Sequence, residues 1–217
     1  MLDNGPKELI TYQPFSMLLV NAKTQQSVAT RGDIVSAALR LFAERGFASA
    51  SIAEIAEAAG ITKGAIYWHF DSKDALFKGI LDQIRHDWQD VVRKPLERES
   101  DPLRKIALLF DRYALLLKHE PEVCLFLQRV LLESEGDYAK QVARVFDRTQ
   151  AFVAGILEDA KRAGQFDSQL DAAVVARTIL ISLTGVTAHC HASRGLSVDT
   201  VVAELKQQIL SRTRYKG

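Results

Sequence analysis

Residues 51–59 and 62–70 carry the residue types whose spacing suggests a chemical role. The first segment opens with Ser51-Ile52-Ala53-Glu54, a capping box in which serine and glutamate satisfy each other's backbone donors. Gly60 allows a tight turn, and Thr62 can cap the segment that follows. Two short helices joined in this way have the spacing of a helix-turn-helix, a motif that places its second helix in the major groove of DNA.

The second of these helices has two distinct faces. Ile66 and Phe70 are four residues apart and share the face that would anchor the helix to a core. Small side chains let a backbone approach a groove closely, and polar tips suit phosphates. The residues left to face a groove are Lys63, Gly64, Ala65, Tyr67 and His69. The alternative from spacing alone is a plain helical hairpin with its aromatic residues in the core.

Other site chemistries find little support in the sequence. His189-Cys190-His191 suggests a metal site, but adjacent residues on a helix point about 100° apart and cannot converge on one ion. The chain has no glycine-rich phosphate loop and no Ser/His/Asp or Cys/His grouping in a family-like frame. We therefore expect no metal, no cofactor and no enzymatic activity.

Composition describes a soluble protein whose DNA affinity would depend on local charge. The 217 residues are 47% hydrophobic and 25% charged, with a formal net charge of +1. Residues 31–73 hold five cations and five acids, so placement must outweigh total charge. Cys124 and Cys190 lie in apolar sequence, which predicts buried free thiols in a reducing cytoplasm. The apolar run 172–190 contains Arg177 and several hydroxyls, which favours a buried helix over a membrane span.

The periodicity predicts an all-α fold of nine helices, with no strand of period two. The first helix would start after Thr30, and the fourth would run from Ser72 toward Pro95, leaving residues 94–101 as a connector. Residues 1–27 are predicted to be a disordered extension, with Met17 as a candidate true start. Residues 28–88 would form the DNA-binding domain, and residues 89–217 a ligand-binding and dimerisation domain.

The stretch from Arg31 to Phe77 strongly resembles the tetracycline-repressor (TetR) family of regulators. The matching phrases are IVSAALRLFAERGF at 34–47, SIAEIAEAAG at 51–60, TKGAIYWHF at 62–70 and KDALF at 73–77. The phrase GAIYWHF resembles the branch that includes multidrug-efflux repressors. The match is dense and ungapped, although it covers less than a quarter of the chain.

The resemblance implies roles for individual positions in the DNA-binding domain. Five positions match the family's recognition helix: Thr62, Lys63, Gly64, Ala65 and Tyr67. Positions that usually hold phosphates are matched by Ser51, Tyr67, His69 and Lys73. Arg31 matches a basic position ahead of the first helix.

The resemblance also implies that the last two helices form a four-helix bundle between subunits. The apolar surplus of residues 172–190 is compatible with this arrangement. Candidate interface residues are Gly185, Val186, Ala188, Ala192, Val202 and Leu205. An apolar ligand pocket between helices would be lined by candidates drawn from four helices, namely Phe110, Tyr113, Phe126, Gln128, Phe152, Arg177 and His189.

Together these features predict a cytoplasmic, homodimeric repressor that a small apolar or amphipathic molecule releases from a pseudo-palindromic DNA operator. The alternatives are an activator and a DNA-binding regulator without an effector. An enzyme is a more distant alternative. The effector, the operator and the regulated genes are not encoded in any motif of the sequence.

Overall fold

The computed structural model describes residues 25–133, 137–192, 195 and 197–211. Within these ranges the chain forms nine helices and no strand, which confirms the all-α prediction. The helices are α1 (Gln25–Arg45), α2 (Ile52–Ala58), α3 (Lys63–His69), α4 (Lys73–Trp88, continuing through Gln89–Arg93 and Lys94–Arg98), α5 (Pro102–His119), α6 (Pro121–Glu133), α7 (Asp137–Arg162), α8 (Ala172–Ala192) and α9 (Val198–Ser211).

Side-chain caps start several of these helices at the positions that the sequence predicts. The Thr62 hydroxyl accepts the Ala65 N–H at 3.2 Å and begins α3. Ser72 caps α4 in the same way, and Asp101 caps α5 ahead of Pro102. The prediction for α1 is wrong, because Thr30 lies inside a helix that already includes Gln25. Residues 1–24 of the predicted extension lie outside the described residues.

The fourth helix passes through Pro95, contrary to the predicted end before it. Residues Gln89–Arg93 form a π-helical turn, and the Lys94 N–H donates to the Gln89 carbonyl five residues back. This wider turn changes the backbone hydrogen-bond register just before Pro95, which has no N–H to donate. Val92 and Leu96 are fully buried, so their burial holds the helical course through residues that a propensity argument assigns to a connector.

One hydrophobic core joins the four N-terminal helices to α6 and α7. Phe77 of α4 lies at its centre and contacts the rings of Phe47, Phe126 and Tyr138, with centroids 5.2, 5.5 and 4.7 Å away. Arg129 of α6 donates from Nη1 to the carbonyls of Ala43 and Glu44 at the end of α1. The predicted domain division at residue 88 stays a prediction, and the two parts share this core.

A second core joins the distal part of α4 to α5, α7, α8 and α9. It encloses Ile106, Leu109 and Phe110 of α5 against the inner faces of α7 and α8. The described residues contain one helical stretch, Ala172–Cys190, that is long and apolar enough by composition to cross a membrane, and a third of it is buried within the subunit. Its inner face belongs to this core, as the sequence predicts for a helix of the body.

Candidate DNA interface and effector cavity

The turn before α2 is held by a complete capping box. The Ser51 hydroxyl accepts the Glu54 N–H at 3.2 Å, and the Glu54 carboxylate accepts the Ser51 N–H at 2.8 Å. The Ser51 hydroxyl also donates to the Glu54 carboxylate at 2.8 Å. The two bonds that this carboxylate accepts from Ser51, with a smaller contribution from Arg45 at 2.8 Å, lower the pKa of Glu54. Gly60 has φ +68°, a left-handed conformation that L side chains rarely adopt, and it ends α2. The predicted helix-turn-helix is therefore built from local contacts.

Helix α3 is anchored by one face and presents the other to solvent. Ile66 and Phe70 are buried, as the four-residue spacing predicts. On the opposite side Tyr67 is 52% exposed and Trp68 is 74% exposed, unusually high values for large aromatic residues. Trp68 was not among the predicted interface residues, although its place beside Tyr67 was a signal for it. Thr62, Lys63 and Gly64 are exposed beside them, and Ala65 is half-buried.

Gly64 leaves open space at the start of α3. A Cβ atom built there would approach only the Thr62 hydroxyl oxygen, at 3.8 Å, so the fold itself does not require glycine. Gly79 of α4 is the opposite case, since a Cβ there would lie 2.8 Å from the ring of Phe70. Gly79 thus lets α4 pack closely against the end of the recognition helix, a role that the sequence did not reveal.

Arg31 and His69 lie together near the end of α3. The Arg31 guanidinium lies over the Phe70 ring, 5.0 Å from its centroid. Burial lowers the pKa of His69, and the positive charge of Arg31 lowers it further. His69 is therefore a neutral hydrogen-bonding group near pH 7, whereas Arg31 keeps a full positive charge.

Lys73 has a structural role that the sequence did not predict. Its ammonium group donates to the carbonyls of Phe47 and Ala50 at 2.8 and 2.9 Å, and it lies 4.5 Å from the Phe47 ring centroid. It thereby fixes the turn between α1 and α2 to the start of α4. Since these contacts already occupy its donors, we leave Lys73 out of the phosphate contacts that we propose.

The body encloses a cavity that lies against α4. Its volume is about 50 Å³, enough for a few water molecules at most. Helices α4 to α8 all contribute to its walls, and most of the lining is apolar. The lining residues are Ile84, Asp87, Trp88, Tyr113, Leu116, Val123, Cys124, Leu127, Val145, Phe146, Thr149, Leu180 and Thr184.

Of the predicted ligand residues, only Tyr113 lines this cavity, where its hydroxyl accepts the Trp88 indole N–H at 3.3 Å. Three of the predicted side chains pack elsewhere in the subunit, so a ligand contact by any of them stays a prediction. Phe110 belongs to the second core, Phe126 contacts Phe42 and Phe77 in the first, and Phe152 packs edge-on against Trp88 outside the lining.

The three polar candidates are also placed outside the cavity. Gln128 donates to the Thr184 carbonyl, and Arg177 donates to Gln150 at 3.1 Å on an exposed face. His189 is exposed. Helical periodicity shows which positions form the apolar face of each helix. Which of those side chains line the cavity depends on how the five helices pack against each other.

Asp87 is the cavity residue that sequence reasoning missed. It is only 2% exposed, and both of its carboxylate oxygens accept from the Gln83 amide, at 3.0 and 3.1 Å. Burial is the main cause that raises its pKa to about 6. The signal in the sequence was an acid beside Trp88 on the apolar face that also carries Ile84.

One face of α8 carries exposed and half-buried apolar residues, which are spaced seven, four and three residues apart along the helix. Val174 is 60% exposed and Ile181 is 65% exposed, with Gly185 and Ala188 half-buried further along. We call these four residues the α8 face. The described residues thus place the predicted Gly185 and Ala188 where a partner could reach them.

The other predicted interface residues have different outcomes. Val186 and Val202 are 6% and 2% exposed in the core of the single chain, so they offer little surface to a partner, and an interface role for either stays a prediction. Leu205 is half-buried and packs against the same core. The side chain of Ala192 lies outside the described residues. Cys124 is a buried free thiol as predicted, whereas Cys190 is only half-buried.

Among the described residues no group of three or more His, Cys, Asp or Glu side chains is placed to hold a metal ion. Two regions of the described residues are candidate functional sites. One is an exposed helix-turn-helix with aromatic and basic groups, and the other is a largely enclosed cavity with one buried acid.

Comparison with known proteins decides the family. Residues 34–80 match the family model for bacterial regulatory proteins of the tetR family, and residues 99–205 match the model for a tetracyclin repressor-like C-terminal domain. The chain is 32% identical over 166 residues to the HTH-type transcriptional regulator TtgR of Pseudomonas putida, covering 71% of this chain and 76% of TtgR. The chain belongs to the TetR family. It is a DNA-binding transcriptional regulator.

Other relatives agree with this assignment. The HTH-type transcriptional repressor BepR of Brucella suis is 26% identical over 202 residues, covering 83% of this chain and 94% of BepR. A crystal structure of AibR in complex with isovaleryl coenzyme A and operator DNA superimposes with a TM-score of 0.73 at 17% identity, covering 84% of this chain and 99% of AibR. At that identity the likeness concerns the TetR fold.

Proposed function

We propose that this TetR-family protein is a repressor that leaves its operator when a small apolar or amphipathic effector enters the cavity against α4. Helix α4 carries the proposal, because it belongs to both functional regions. Near its start Phe77 and Ile80 are fully buried in the core of the DNA-binding helices. Two turns later Ile84, Asp87 and Trp88 form one wall of the cavity.

The size of the cavity supports a coupling between effector and DNA. Ligand pockets for drug-sized molecules usually measure about 300–1,000 Å³. A cavity of about 50 Å³ must widen before it holds such a molecule, so at least one wall has to move. If α4 moves, α3 moves with it, because the ring of Phe70 packs against Gly79 at close range.

A homodimer completes the proposal. Exposed Val174 and Ile181 on the α8 face are the kind of unpartnered apolar surface that a second copy covers, with Gly185 and Ala188 allowing close approach. Two α3 helices related by a two-fold axis would read half-sites about 34–36 Å apart. Effector binding would change this spacing and so weaken the complex with DNA.

The DNA contacts that we propose come from the exposed side of the helix-turn-helix. Phosphates would be held by Tyr67 and His69, with Arg31 nearby. Ser51 is left out for the same reason as Lys73, because its N–H and its hydroxyl both donate to the Glu54 carboxylate at 2.8 Å. The groove would be entered by Thr62, Lys63, Gly64, Ala65 and Trp68. TtgR and BepR are described as a regulator and a repressor, which supports repression as the mode. We infer a cytoplasmic protein without a cofactor or enzymatic activity.

The test is a release experiment on an operator selected in vitro from random duplexes. The protein should bind the selected duplex as a dimer, and 1-naphthylmethylamine or 1-naphthylmethanol should release it in a fluorescence-anisotropy titration. Val145→Phe fills the cavity from α7. This variant should therefore stay bound to the duplex at probe concentrations that release the wild-type protein from it. Ala151→Phe adds the same ring on the exposed side of α7 and should be released normally.

The outcomes separate the alternatives. Release that Val145→Phe abolishes supports an effector-responsive repressor. Probe binding that strengthens the DNA complex would favour an activator or co-repressor mode. Release of Val145→Phe at wild-type probe concentrations would show that the effector site lies elsewhere.

A further inference from the structure

Asp87 is the one carboxylate among the described residues that line the cavity, and none of those residues is a lysine, arginine or histidine. The carboxylate is 2% exposed, and its one hydrogen-bond partner among the described residues is the Gln83 amide nitrogen, one turn back on α4. A carboxylate has about four acceptor sites on its two oxygens, so a single shared donor leaves most of them unused. Asp87 is itself one of the residues that line the cavity.

Within the described ranges no cationic side chain forms an ion pair with Asp87. His86 offers a favourable charge when protonated, but Asp90 on α4 and Glu120 at the end of α5 act in the opposite direction. His86 and Lys94 are themselves paired with Asp90, at 3.5 and 2.5 Å. The ionised Asp87 is therefore desolvated without a full charge partner, which is a costly arrangement in a protein interior.

The other titratable groups around the cavity are neutral near pH 7. Burial raises the pKa of the Cys124 thiol to about 11 and raises the pKa of the Tyr113 hydroxyl beyond its already high ordinary value. The remaining polar groups on the opposite walls are the hydroxyls of Thr149 and Thr184, which do not titrate. The local charge that an effector meets is set by Asp87.

We propose that Asp87 selects effectors in which an apolar, preferably aromatic, body carries a protonated nitrogen. This proposal rests on the cavity being the effector site, as proposed above. An ammonium group would pair with the unused side of the carboxylate, and the rings of Trp88, Tyr113 and Phe146 line the space beside it. An effector with an anionic group near Asp87 would meet a like charge in a low-dielectric site and would be rejected.

A structural role for Asp87 makes a different prediction. If the acid only holds Gln83 and the course of α4, replacing it would change the affinity for charged and uncharged probes by the same factor. If it selects a cation, the change falls on the charged probe alone. The ratio of the two affinities therefore distinguishes selection from a general effect on folding.

The experiment uses two probes of the same body, 1-naphthylmethylamine and 1-naphthylmethanol, titrated against the full chain by calorimetry at about pH 8, where Asp87 is ionised. The wild type should bind the amine roughly tenfold more tightly than the alcohol. Asp87→Asn should bring the two affinities within about twofold of each other by lowering only that for the amine. Asp82→Asn makes the same change on an exposed part of α4, where the side chain is 69% exposed, and should keep the preference.

A second measurement at about pH 5 checks the charge of the carboxylate, because the pKa of Asp87 is about 6 in the unliganded protein. The amine stays protonated at both pH values, so its preference should fall several-fold at the lower pH in the wild type and stay absent in Asp87→Asn. Equal binding of the two probes by the wild type, or a preference that survives in Asp87→Asn, overturns the proposal.

Failure to bind either probe also overturns the proposal for this cavity. The operator assay separates this inference from the proposed function. Amine-selective binding that does not release DNA would leave the selection by Asp87 standing and remove the coupling to the operator. Release by both probes without selectivity would leave the coupling standing and remove the selection.

Discussion

The recognition helix and the cavity arrange their functional side chains in opposite ways. Helix α3 buries Ile66 and Phe70 and leaves Tyr67 and Trp68 in solvent, so its working groups lie outside a small core. The cavity encloses its polar group, Asp87, behind apolar walls from five helices. The DNA surface of α3 is already exposed, whereas the cavity, at about 50 Å³, would have to widen to hold a drug-sized effector.

This difference explains how one chain serves two partners. DNA is large and charged, so a fixed exposed surface can meet it without rearrangement of the protein. A small apolar molecule must be taken out of water, so its site has to be closed around it. Helix α4 belongs to both regions, so in the proposed mechanism a movement at its cavity end would reach the DNA-binding end.

The largest effect should come from the α8 face, because in the proposed dimer this face brings two recognition helices together. Ile181→Asp places a charge on an exposed apolar position, where it does not disturb the subunit core but would be desolvated in a dimer. We expect folded monomers in light scattering and an operator affinity lowered about 100-fold or more, because one half-site offers only half the contacts.

Val186→Asp is the matched change on the buried side of the same helix. Val186 is 6% exposed, so this variant should unfold the subunit rather than separate two subunits. Circular dichroism distinguishes the two results. A folded Ile181→Asp dimer with full operator binding would show that the α8 face is not the interface.

The DNA-binding region was predictable because its determinants are local. The capping box at Ser51, the turn at Gly60 and the four-residue spacing of Ile66 and Phe70 all act within one or two turns of a helix. The features of this region that the sequence did not predict depend on contacts between residues far apart in the chain. Lys73 is bound by carbonyls more than twenty residues earlier in the chain, which no local pattern reveals.

The cavity was not predictable for the same physical reason. Phe110, Phe126 and Phe152 are apolar residues on the correct helices, and nothing in their spacing shows that they fill cores rather than line a space. The course of α4 through Pro95 likewise depends on the burial of Val92 and Leu96 against other helices. Helix number follows from periodicity, but helix pairing sets the lining of a site.

The next largest effect is the change in stability that we expect when the buried Asp87 is replaced by asparagine. Because the pKa of Asp87 is raised in the folded protein, to about 6 from an ordinary 3.8, folding favours the protonated form. Its contribution to stability is complete below about pH 4 and is lost as the pH rises through 6. The difference corresponds to about 3 kcal/mol at most. Asp87→Asn should therefore raise the free energy of unfolding at pH 8 and change it little at pH 4.

Urea denaturation at both pH values measures this effect. Asp82→Asn, on the exposed side of α4, is the control and should show no such pH-dependent gain. A wild-type protein as stable as Asp87→Asn at pH 8 would mean that the carboxylate is not desolvated in solution. The proposed contrast between exposed groups on the DNA surface and a desolvated acid in the cavity would then be wrong.

A smaller loss of stability is expected for Lys73→Met. This variant tests whether the Lys73 ammonium stabilises the fold or contacts DNA. Lys73→Met keeps the length of the side chain but removes the ammonium that donates to Phe47 and Ala50. Charge-assisted bonds of this kind contribute about 2 kcal/mol, so the midpoint of urea denaturation should fall. Operator affinity, measured well below that midpoint, should change less than for Tyr67→Phe. The reverse order would return Lys73 to the phosphate contacts.

The smallest effect should come from a single hydroxyl on the recognition helix. Tyr67 is 52% exposed, so Tyr67→Phe removes a hydroxyl in solvent and should leave the melting temperature unchanged. If that hydroxyl donates to an operator phosphate, its loss costs about 1 kcal/mol, or roughly fivefold in affinity in an anisotropy titration. Tyr113→Phe makes the same deletion in the body, where the hydroxyl is bonded to Trp88, and it should lower stability while operator affinity stays within about twofold. Wild-type affinity for Tyr67→Phe would show that the hydroxyl does not contact the operator, and it would leave the exposed rings of Tyr67 and Trp68 as the aromatic surfaces that α3 offers to DNA.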